Sequence, residues 1–416
     1  MLRLDRPLRL SAVAALSLCA AAAGCQSYQP APLDLDAHAV AWASRDAASP
    51  DVAAFARRLS AATTRPNDQA FDPADGLSLR EAEVVALFFN PRLRAARLKA
   101  RAAAVGAAEA GRWEDPVLRV DAERIIQAVE HPWVAGGMLD LTLPISGRLA
   151  AEKDRAAAGA DVSRVNALVE EQRVLAELAA AWTELAVLDQ RAALVRALAE
   201  DLEALGSQAD RLRAAGELGP LEAGLFKVER VRQSAELRAL APQRRELVLA
   251  IHGLLGLAPD APVRLVAALP EPVDPAAAAD RRRLLVERHP RLRLARAEYD
   301  VAERTLALEV RKQFPDLVLG GGFGRDEGTT RVLGGLSLPI PVINGNRRAI
   351  AEARADRDAA RATAEATYEE LTTSLARAEA SLAAARARRE ALEQELAPLA
   401  DQQVKSAREL GRLGAT

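Results

Sequence analysis

The sequence predicts a mainly helical protein with a small β part, built from one unit that occurs twice. First, the segment "NPRLRAARLKA" at 90–100 returns as "HPRLRLARAEY" at 289–299, and both copies run on without a gap to a proline, Pro116 and Pro315. Second, two short alternating segments that read as a strand pair follow each proline. Third, a long stretch with helical periodicity follows each strand pair. These three observations together predict a tandem duplication of helix, strand pair and very long helix.

The composition agrees with long helices packed through small residues. Half of the 416 residues are hydrophobic, but only 3% are aromatic, which suits coiled coils better than a thick globular core. There are 56 basic and 58 acidic residues, interspersed along the chain, for a net charge of −2. This balance gives no reason to propose nucleic acid as a partner.

The amino terminus reads as a signal peptide at 1–24. Three arginines precede an apolar run at 10–23 that is too short for a permanent membrane helix and ends in "AAGC". The small residues before Cys25 resemble a lipobox, so we expect lipid attachment at Cys25 and cleavage before it; an ordinary secretory signal is the alternative. Gln26 and Ser27, with no Asp after the cysteine, resemble the default for lipoproteins of the bacterial outer membrane. The rest of the chain has no apolar run of about 18 residues, so any membrane-spanning part must be β-structure.

The first strand pair has one apolar and one polar face. The apolar set, predicted to face lipid, is Leu118, Val120, Leu139, Leu141 and Leu143. The polar set, predicted to face a water-filled lumen, is Arg119, Asp121, Glu123, Asp140 and Thr142. This alternation is what a membrane barrel strand requires, but a soluble half-buried hairpin shows it as well.

The long helices predict an elongated protein. Proline is absent from 147–215, and leucines step by three and four residues in two runs with a shifted phase. The sequence "AAGELGP" at 214–220 predicts a sharp turn, and 221–257 a return helix. The second copy reads as one helix over 346–410, and about 65 helical residues span roughly 100 Å. We therefore expect an N-terminal periplasmic segment at 25–79, a first repeat at 80–275 and an incomplete second repeat at 276–416, without its return helix.

The order of these elements, doubled behind a lipobox, resembles the outer-membrane factor family typified by TolC. The motifs that carry the resemblance are "NPRLRAARLKA", "LTLPISGR", "LSLPIPVINGNRR" and "RAAGELGPLEAGLFKVE". The family implies a homotrimer in which each protomer gives four strands to an outer-membrane β-barrel and its helices to a periplasmic α-barrel. Such a channel works with a periplasmic adaptor and an inner-membrane transporter to export small solutes, drugs or metal cations. The resemblance places adaptor docking at the turn formed by Gly216, Glu217, Leu218 and Gly219.

A resemblance to one branch of the family rests on fewer residues. "GRWEDPVLRV" and the glycine-arginine after "LPIS" resemble the heavy-metal-efflux branch, but the four histidines are scattered and form no ligand cluster. We expect no cofactor, no bound metal and no enzymatic activity, because no convergent catalytic set is visible. The alternatives are a periplasmic coiled-coil adaptor and a structural lipoprotein without channel activity, although a single adaptor hairpin does not explain strands that lie between helices in a repeated unit.

Overall fold

The computed structural model describes residues 27–62, 71–126, 133–269, 278–326 and 329–413. The predicted signal peptide and Cys25 lie outside these residues, as do the turn between the first two strands and that between the last two. The chain divides between Asp46 and Ala47 into two compact units. The described part of the first unit contains α1, Leu35–Ala43, whose first turn is capped by the Asp34 carboxylate.

The second unit begins with a group of shorter helices. Helix α2 spans Pro50–Ala62, a 3₁₀ turn spans Pro73–Asp75, α3 spans Leu79–Phe89 and α4 spans Pro91–Glu109. Helix α3 starts at a capping box in which Ser78 and Glu81 satisfy each other's backbone N–H groups.

The four strands form a single antiparallel sheet in the order β1-β2-β3-β4. Strand β1 spans Val117–Arg124, β2 Trp133–Leu143, β3 Leu317–Asp326 and β4 Thr329–Ser337. Both predicted strand pairs are confirmed. The register between β2 and β3, in which Leu143 lies opposite Leu317, joins the strand pair of the first repeat to that of the second.

Long helices follow each strand pair, close to the predicted bounds. Helix α5 spans Arg148–Ala214 and α6 spans Pro220–Leu255, so the predicted turn and return helix are both present. In the second repeat, α7 spans Ala278–Arg288, α8 Pro290–Arg311, α9 Arg347–Ala391 and α10 Ala397–Leu413. In the described part of the chain no helix is both long and apolar enough to cross a membrane.

The predicted single helix over 346–410 is wrong in one detail. A π-helical turn at Leu392–Leu396 separates α9 from α10, and the Ala397 N–H bonds to the carbonyl of Leu392. Pro398 explains the break, because it has no N–H to continue the α-helical ladder.

The main core lies where the middle of α5 meets α3, α4 and the end of α6. Leu178, Trp182 and Leu185 of α5 are fully buried there, beside Ile251 and Leu255 of α6. This confirms the predicted apolar seam in the first half of α5.

The predicted seam in the second half of α5 is only half correct. Three residues spaced by seven positions are buried: Val195, Leu202 and Ala209. They correspond to one core position of a heptad repeat. Leu198 and Leu205 on the adjoining face are 46% and 47% exposed. In α9, Leu371 is buried, whereas Leu382 is exposed.

The repeated "PRLR" motif docks a short helix on a long one in both repeats. Its proline occupies the first turn of α4 or α8, and its leucine, Leu93 or Leu292, is buried. Its first arginine reaches a glutamate of the following long helix: Arg92 contacts Glu177 of α5, and Arg291 binds Glu370 of α9 through two hydrogen bonds of 3.0 and 2.8 Å. The same packing in both repeats explains why the motif occurs twice.

Candidate functional site

One face of the sheet is apolar across all four strands. The register places Leu118 opposite Leu139, and Leu141 opposite Leu319, which in turn lies opposite Leu336. Because side chains alternate along a strand, these residues share one face. The exposed large residues on that face include Leu118, Val120, Leu139, Leu319, Phe323, Val332 and Leu336. A contiguous exposed apolar face of this kind marks a surface that contacts lipid or another protein.

The opposite face carries the polar residues singled out in the sequence. The register places Arg119, Asp121, Glu123, Asp140 and Thr142 on it together. The Arg119 guanidinium donates to the Asp140 carboxylate at 2.8 Å, and the Asp140 side chain is only 14% exposed. Asp121 and Glu123 are exposed further along β1, and Thr142 is half-buried at the other end of β2. Arg119 and Asp140 are thus in contact, while the other three share the face without joining this ion pair.

Glycines of β3 make room for the side chains on the polar face. A Cβ atom on Gly320 would lie 2.6 Å from Asp140 Oδ1 and 3.1 Å from Met138 Sδ. A Cβ atom on Gly322 would lie 2.1 Å from the Gly137 carbonyl oxygen, so only glycine fits this close approach of two strands. No local pattern in the sequence indicates Met138, because its place over Gly320 depends on the register of two strands from different repeats.

A charged cluster lies where the sheet meets the helices. Arg148, in the first turn of α5, donates to Asp316 at 3.2 Å, to Glu152 at 2.7 Å and to Glu114 at 2.9 Å. The Ser146 hydroxyl donates to the other Asp316 oxygen at 2.7 Å. This cluster ties the end of β2 to the residue before β3, and hence the first repeat to the second.

The pKa of Asp316 is set by opposing effects. Burial raises it, but the hydrogen bonds from Ser146 and Arg148 outweigh burial and bring the pKa below its ordinary value. Asp316 is therefore a carboxylate at neutral pH. Gly147-Arg148 after "LPIS" was visible in the sequence, but no local pattern indicated that its partner lies 168 residues further on.

The predicted docking turn is a tight helical corner. Gly216 has φ +78°, and the Glu217 N–H donates to the Leu212 carbonyl at 2.9 Å, which closes the end of α5. The Gly219 N–H donates to Glu222 at 3.1 Å at the start of α6. Glu217 is exposed, while Leu218 and Gly219 are half-buried.

Ion pairs bind α5 to α6 on the way to this corner. Asp210 accepts from Lys227 at 2.9 Å, and the Lys227 hydrogen bond is the main cause of the lowered pKa of Asp210. Arg244 binds Asp189 at 2.6 Å, nearer the core. Among the residues that the structure describes, no group of three or more His, Cys, Asp or Glu could hold a metal ion.

Comparison with known proteins identifies the carboxy-terminal segment. Residues 282–416 match the family model of the outer membrane efflux protein. The resemblance predicted from the sequence is therefore confirmed. No curated protein matches the chain.

Solved structures extend the similarity to most of the chain. A membrane protein from Pseudomonas aeruginosa aligns with a TM-score of 0.68 at 22% identity over 81% of this chain and 83% of its own. VceC, an outer membrane protein of Vibrio cholerae, aligns with a TM-score of 0.67 at 19% identity over 81% and 87%. The outer-membrane channel OprN aligns with a TM-score of 0.69 at 19% identity over 81% of each chain. At these identities the structures establish a shared fold.

The shared fold tests the predicted fold class. The predicted fold class, mainly α with a small β part in a duplicated TolC-like unit, is confirmed. The family that residues 282–416 match is one of outer membrane efflux proteins.

Proposed function

We propose that the chain is the outer-membrane channel component of a tripartite efflux system and exports small solutes as a homotrimer. The observation that carries the proposal is the two-faced sheet, with an exposed apolar face across four strands and a polar, glycine-rich face behind it. Lipid suits the first face and water the second, because an arginine or lysine at the bilayer midplane costs about 2–4 kcal/mol. On this proposal Arg119, Asp121, Glu123, Asp140 and Thr142 face the lumen.

The long helices supply the periplasmic part of the channel. The 67 residues of α5 span roughly 100 Å, far more than an ordinary globular domain needs. The half-exposed leucines of α5, Leu198 and Leu205, would pack on helices of neighbouring copies in a periplasmic α-barrel. A metal-cation or drug cargo would pass through this lumen without a binding cluster.

The corner between α5 and α6 would dock a periplasmic adaptor that links the channel to an inner-membrane transporter. Gly216, Glu217, Leu218 and Gly219 form a compact end with an exposed carboxylate, and the α5–α6 ion pairs hold the two helices together behind it. A rigid helical end of this kind loses little entropy when a partner binds.

The proposal also includes a lipid anchor and a domain order. Residues 1–24 would be removed, Cys25 would carry lipid in the outer membrane, and 25–79 would be a periplasmic segment before the repeats at 80–275 and 276–416. A Cys25→Ala chain should accumulate as an unprocessed precursor. If that variant is cleaved normally and fractionates with the outer membrane, the lipid-anchor proposal is wrong, whereas the channel proposal is unaffected.

Single-channel recording in planar lipid bilayers tests the channel itself. The purified full chain should give stepwise conductance, and Asp121→Lys should change the cation-to-anion permeability ratio, because it reverses a charge on the polar sheet face. Asp260→Lys, the same charge change at an exposed position outside the sheet, is the control. Absence of conductance, or an equal change in the control, would contradict the proposal.

A further inference from the structure

The apolar face of the sheet carries two charged side chains in the described strands, and both are arginines. Arg124 ends β1 and lies opposite Trp133 at the start of β2. Arg325 lies near the end of β3, opposite Ala135. Trp133 and Ala135 alternate in step with Leu139, so both arginines share the face of Leu139. This is the end of the sheet away from the long helices, because α5 follows the other end of β2.

The acidic residues of the strands lie on the other face. Within the four described strands, the register places every acidic residue on the polar face: Asp121, Glu123, Asp140 and Asp326. The two arginines of that face have partners there, since Arg119 binds Asp140 at 2.8 Å and Arg331 binds Asp326 at 3.0 Å. Arg124 and Arg325 are exposed, and neither forms an ion pair among the residues that the structure describes. The strands thus present two uncompensated positive charges on the apolar face.

An aromatic ring and an apolar band accompany these arginines. The Arg124 guanidinium carbon lies 5.7 Å from the centroid of the Trp133 ring, which is a cation–π contact. Nearer the middle of the sheet the same face carries Phe323 opposite Val332, and both side chains are exposed. Cations, an indole ring and then hydrocarbon side chains therefore follow one another along this face. Tryptophan favours the level at which lipid headgroups meet acyl chains.

We propose that Arg124, Trp133 and Arg325 bind a phosphate-bearing lipid headgroup in the outer leaflet of the outer membrane. The inference rests on the proposed function, in which this end of the sheet faces outward because the helices lie in the periplasm. A guanidinium group binds phosphate through two parallel charge-assisted hydrogen bonds. Strands β1 and β3 are two strand spacings apart, about 10 Å, so extended side chains from both strands can reach one headgroup.

Two observations favour an anionic headgroup over water as the partner of these arginines. Charges of either sign are tolerated near the membrane interface, yet the described strands place only cations on this face. In addition, the ring of Trp133 restrains the Arg124 guanidinium beside the apolar band, whereas an arginine that only reaches for water needs no such contact. The acyl chains of the same lipid would lie on Phe323 and Val332.

Lipid binding by the purified full chain in a neutral detergent tests the site. Titration with lipid A, a glycolipid that carries two phosphate groups, should show saturable binding by native mass spectrometry. The same glycolipid without phosphate should bind at least about tenfold more weakly, and Arg124→Gln and Arg325→Gln should each weaken binding of lipid A about tenfold. Arg331→Gln is the matched control, because it removes the same charge from the same end of the sheet on the other face.

Three results would overturn the proposed site. The first is unchanged binding of lipid A when Arg124→Gln and Arg325→Gln are combined. The second is equal binding of the glycolipid without phosphate, or an equal loss of binding in Arg331→Gln. The third is displacement of lipid A by an equal concentration of inorganic phosphate, which would show a site for the free anion, because phosphate has no acyl chain to lie on the apolar band.

The measurement separates this inference from the proposed function, because lipid binding in detergent does not require conduction. If the unmodified chain conducts in bilayers while the double variant binds lipid A as tightly as the unmodified chain, the headgroup site is wrong and the channel stands. If the unmodified chain binds lipid A with the expected dependence on both arginines but does not conduct, the channel proposal fails and the headgroup site stands.

Discussion

Arg148 and Asp316 are 168 residues apart in sequence and are joined by a hydrogen bond of 3.2 Å at the junction of sheet and helices. The arginine belongs to the first repeat and the carboxylate to the second. Ser146 binds the other oxygen of the same carboxylate, so Asp316 is held from two sides. The contact fixes how the two strand pairs meet in one sheet.

Replacing Asp316 by Asn should lower the free energy of unfolding by about 1–3 kcal/mol, because Arg148 loses a partly buried charged partner. The folded-state pKa of Asp316 is lowered, so its stabilisation is full above the unfolded pKa near 4 and is lost as pH falls through the folded pKa. Thermal unfolding between pH 7 and pH 3 measures both effects. The variant should lose less stability on acidification than the unmodified protein, and Asp260→Asn is the control; parallel curves for all three would contradict the assignment.

Asn90 should matter more than its counterpart His289. The Asn90 side chain accepts from the Arg92 and Leu93 N–H groups and donates to the Leu254 carbonyl at 2.7 Å, and it is 2% exposed. Asn90→Ala should therefore lower the free energy of unfolding by about 2–4 kcal/mol, because the helix loses its N-cap and the buried Leu254 carbonyl loses its hydrogen-bond donor. His289 makes no side-chain cap bond, so His289→Ala should cost clearly less in denaturant unfolding. Equal losses would mean that the cap is not what stabilises this corner.

Gly322 and Gly321 offer a matched pair in β3. Gly322→Ala should destabilise the sheet by about 1–3 kcal/mol, because its Cβ would lie 2.1 Å from the Gly137 carbonyl oxygen. Gly321→Ala should have little effect, since nothing lies within 4 Å of its Cβ position. Thermal midpoints of the two variants compare them directly. Similar midpoints would show that β2 and β3 leave room for a Cβ atom at Gly322.

The corner after α5 depends on the left-handed conformation of Gly216. With φ at +78°, Gly216→Ala should cost about 1–2 kcal/mol. Gly224→Ala, in the body of α6 with open space around it, should instead stabilise the helix by up to about 1 kcal/mol. Opposite signs in denaturant unfolding are expected. Stabilisation by both changes would contradict the left-handed conformation of Gly216 at this corner.

The two sheet faces should differ in access to water. Single cysteines at Asp121 and Glu123 should react with membrane-impermeant thiol reagents in intact outer membranes, whereas cysteines at Leu118 and Val120 should not, because hydrocarbon excludes the reagent. The chain without an added cysteine gives the background. The reverse pattern would remove the basis for the lumen assignment.

Local patterns in the sequence were enough to predict both strand pairs, the long helix of the first repeat and the alternation along β1. Alternation along a strand and heptad spacing along a helix are properties of neighbouring residues, so the bounds of α5 and the separation of Leu118 from Arg119 could be predicted. Pro398 was an equally local signal, and the π-helical turn before it could have been predicted from it.

Only the tertiary structure decided which distant residues meet. The Arg148–Asp316 bond, the place of Met138 over Gly320 and the reach of Arg92 to Glu177 all depend on strand register or on helix packing between segments far apart in sequence. Acidic residues occur all along the helices, so the sequence alone does not indicate which of them pairs with a given arginine. The choice among them is made by the geometry of the packed backbone, which no single stretch of sequence contains.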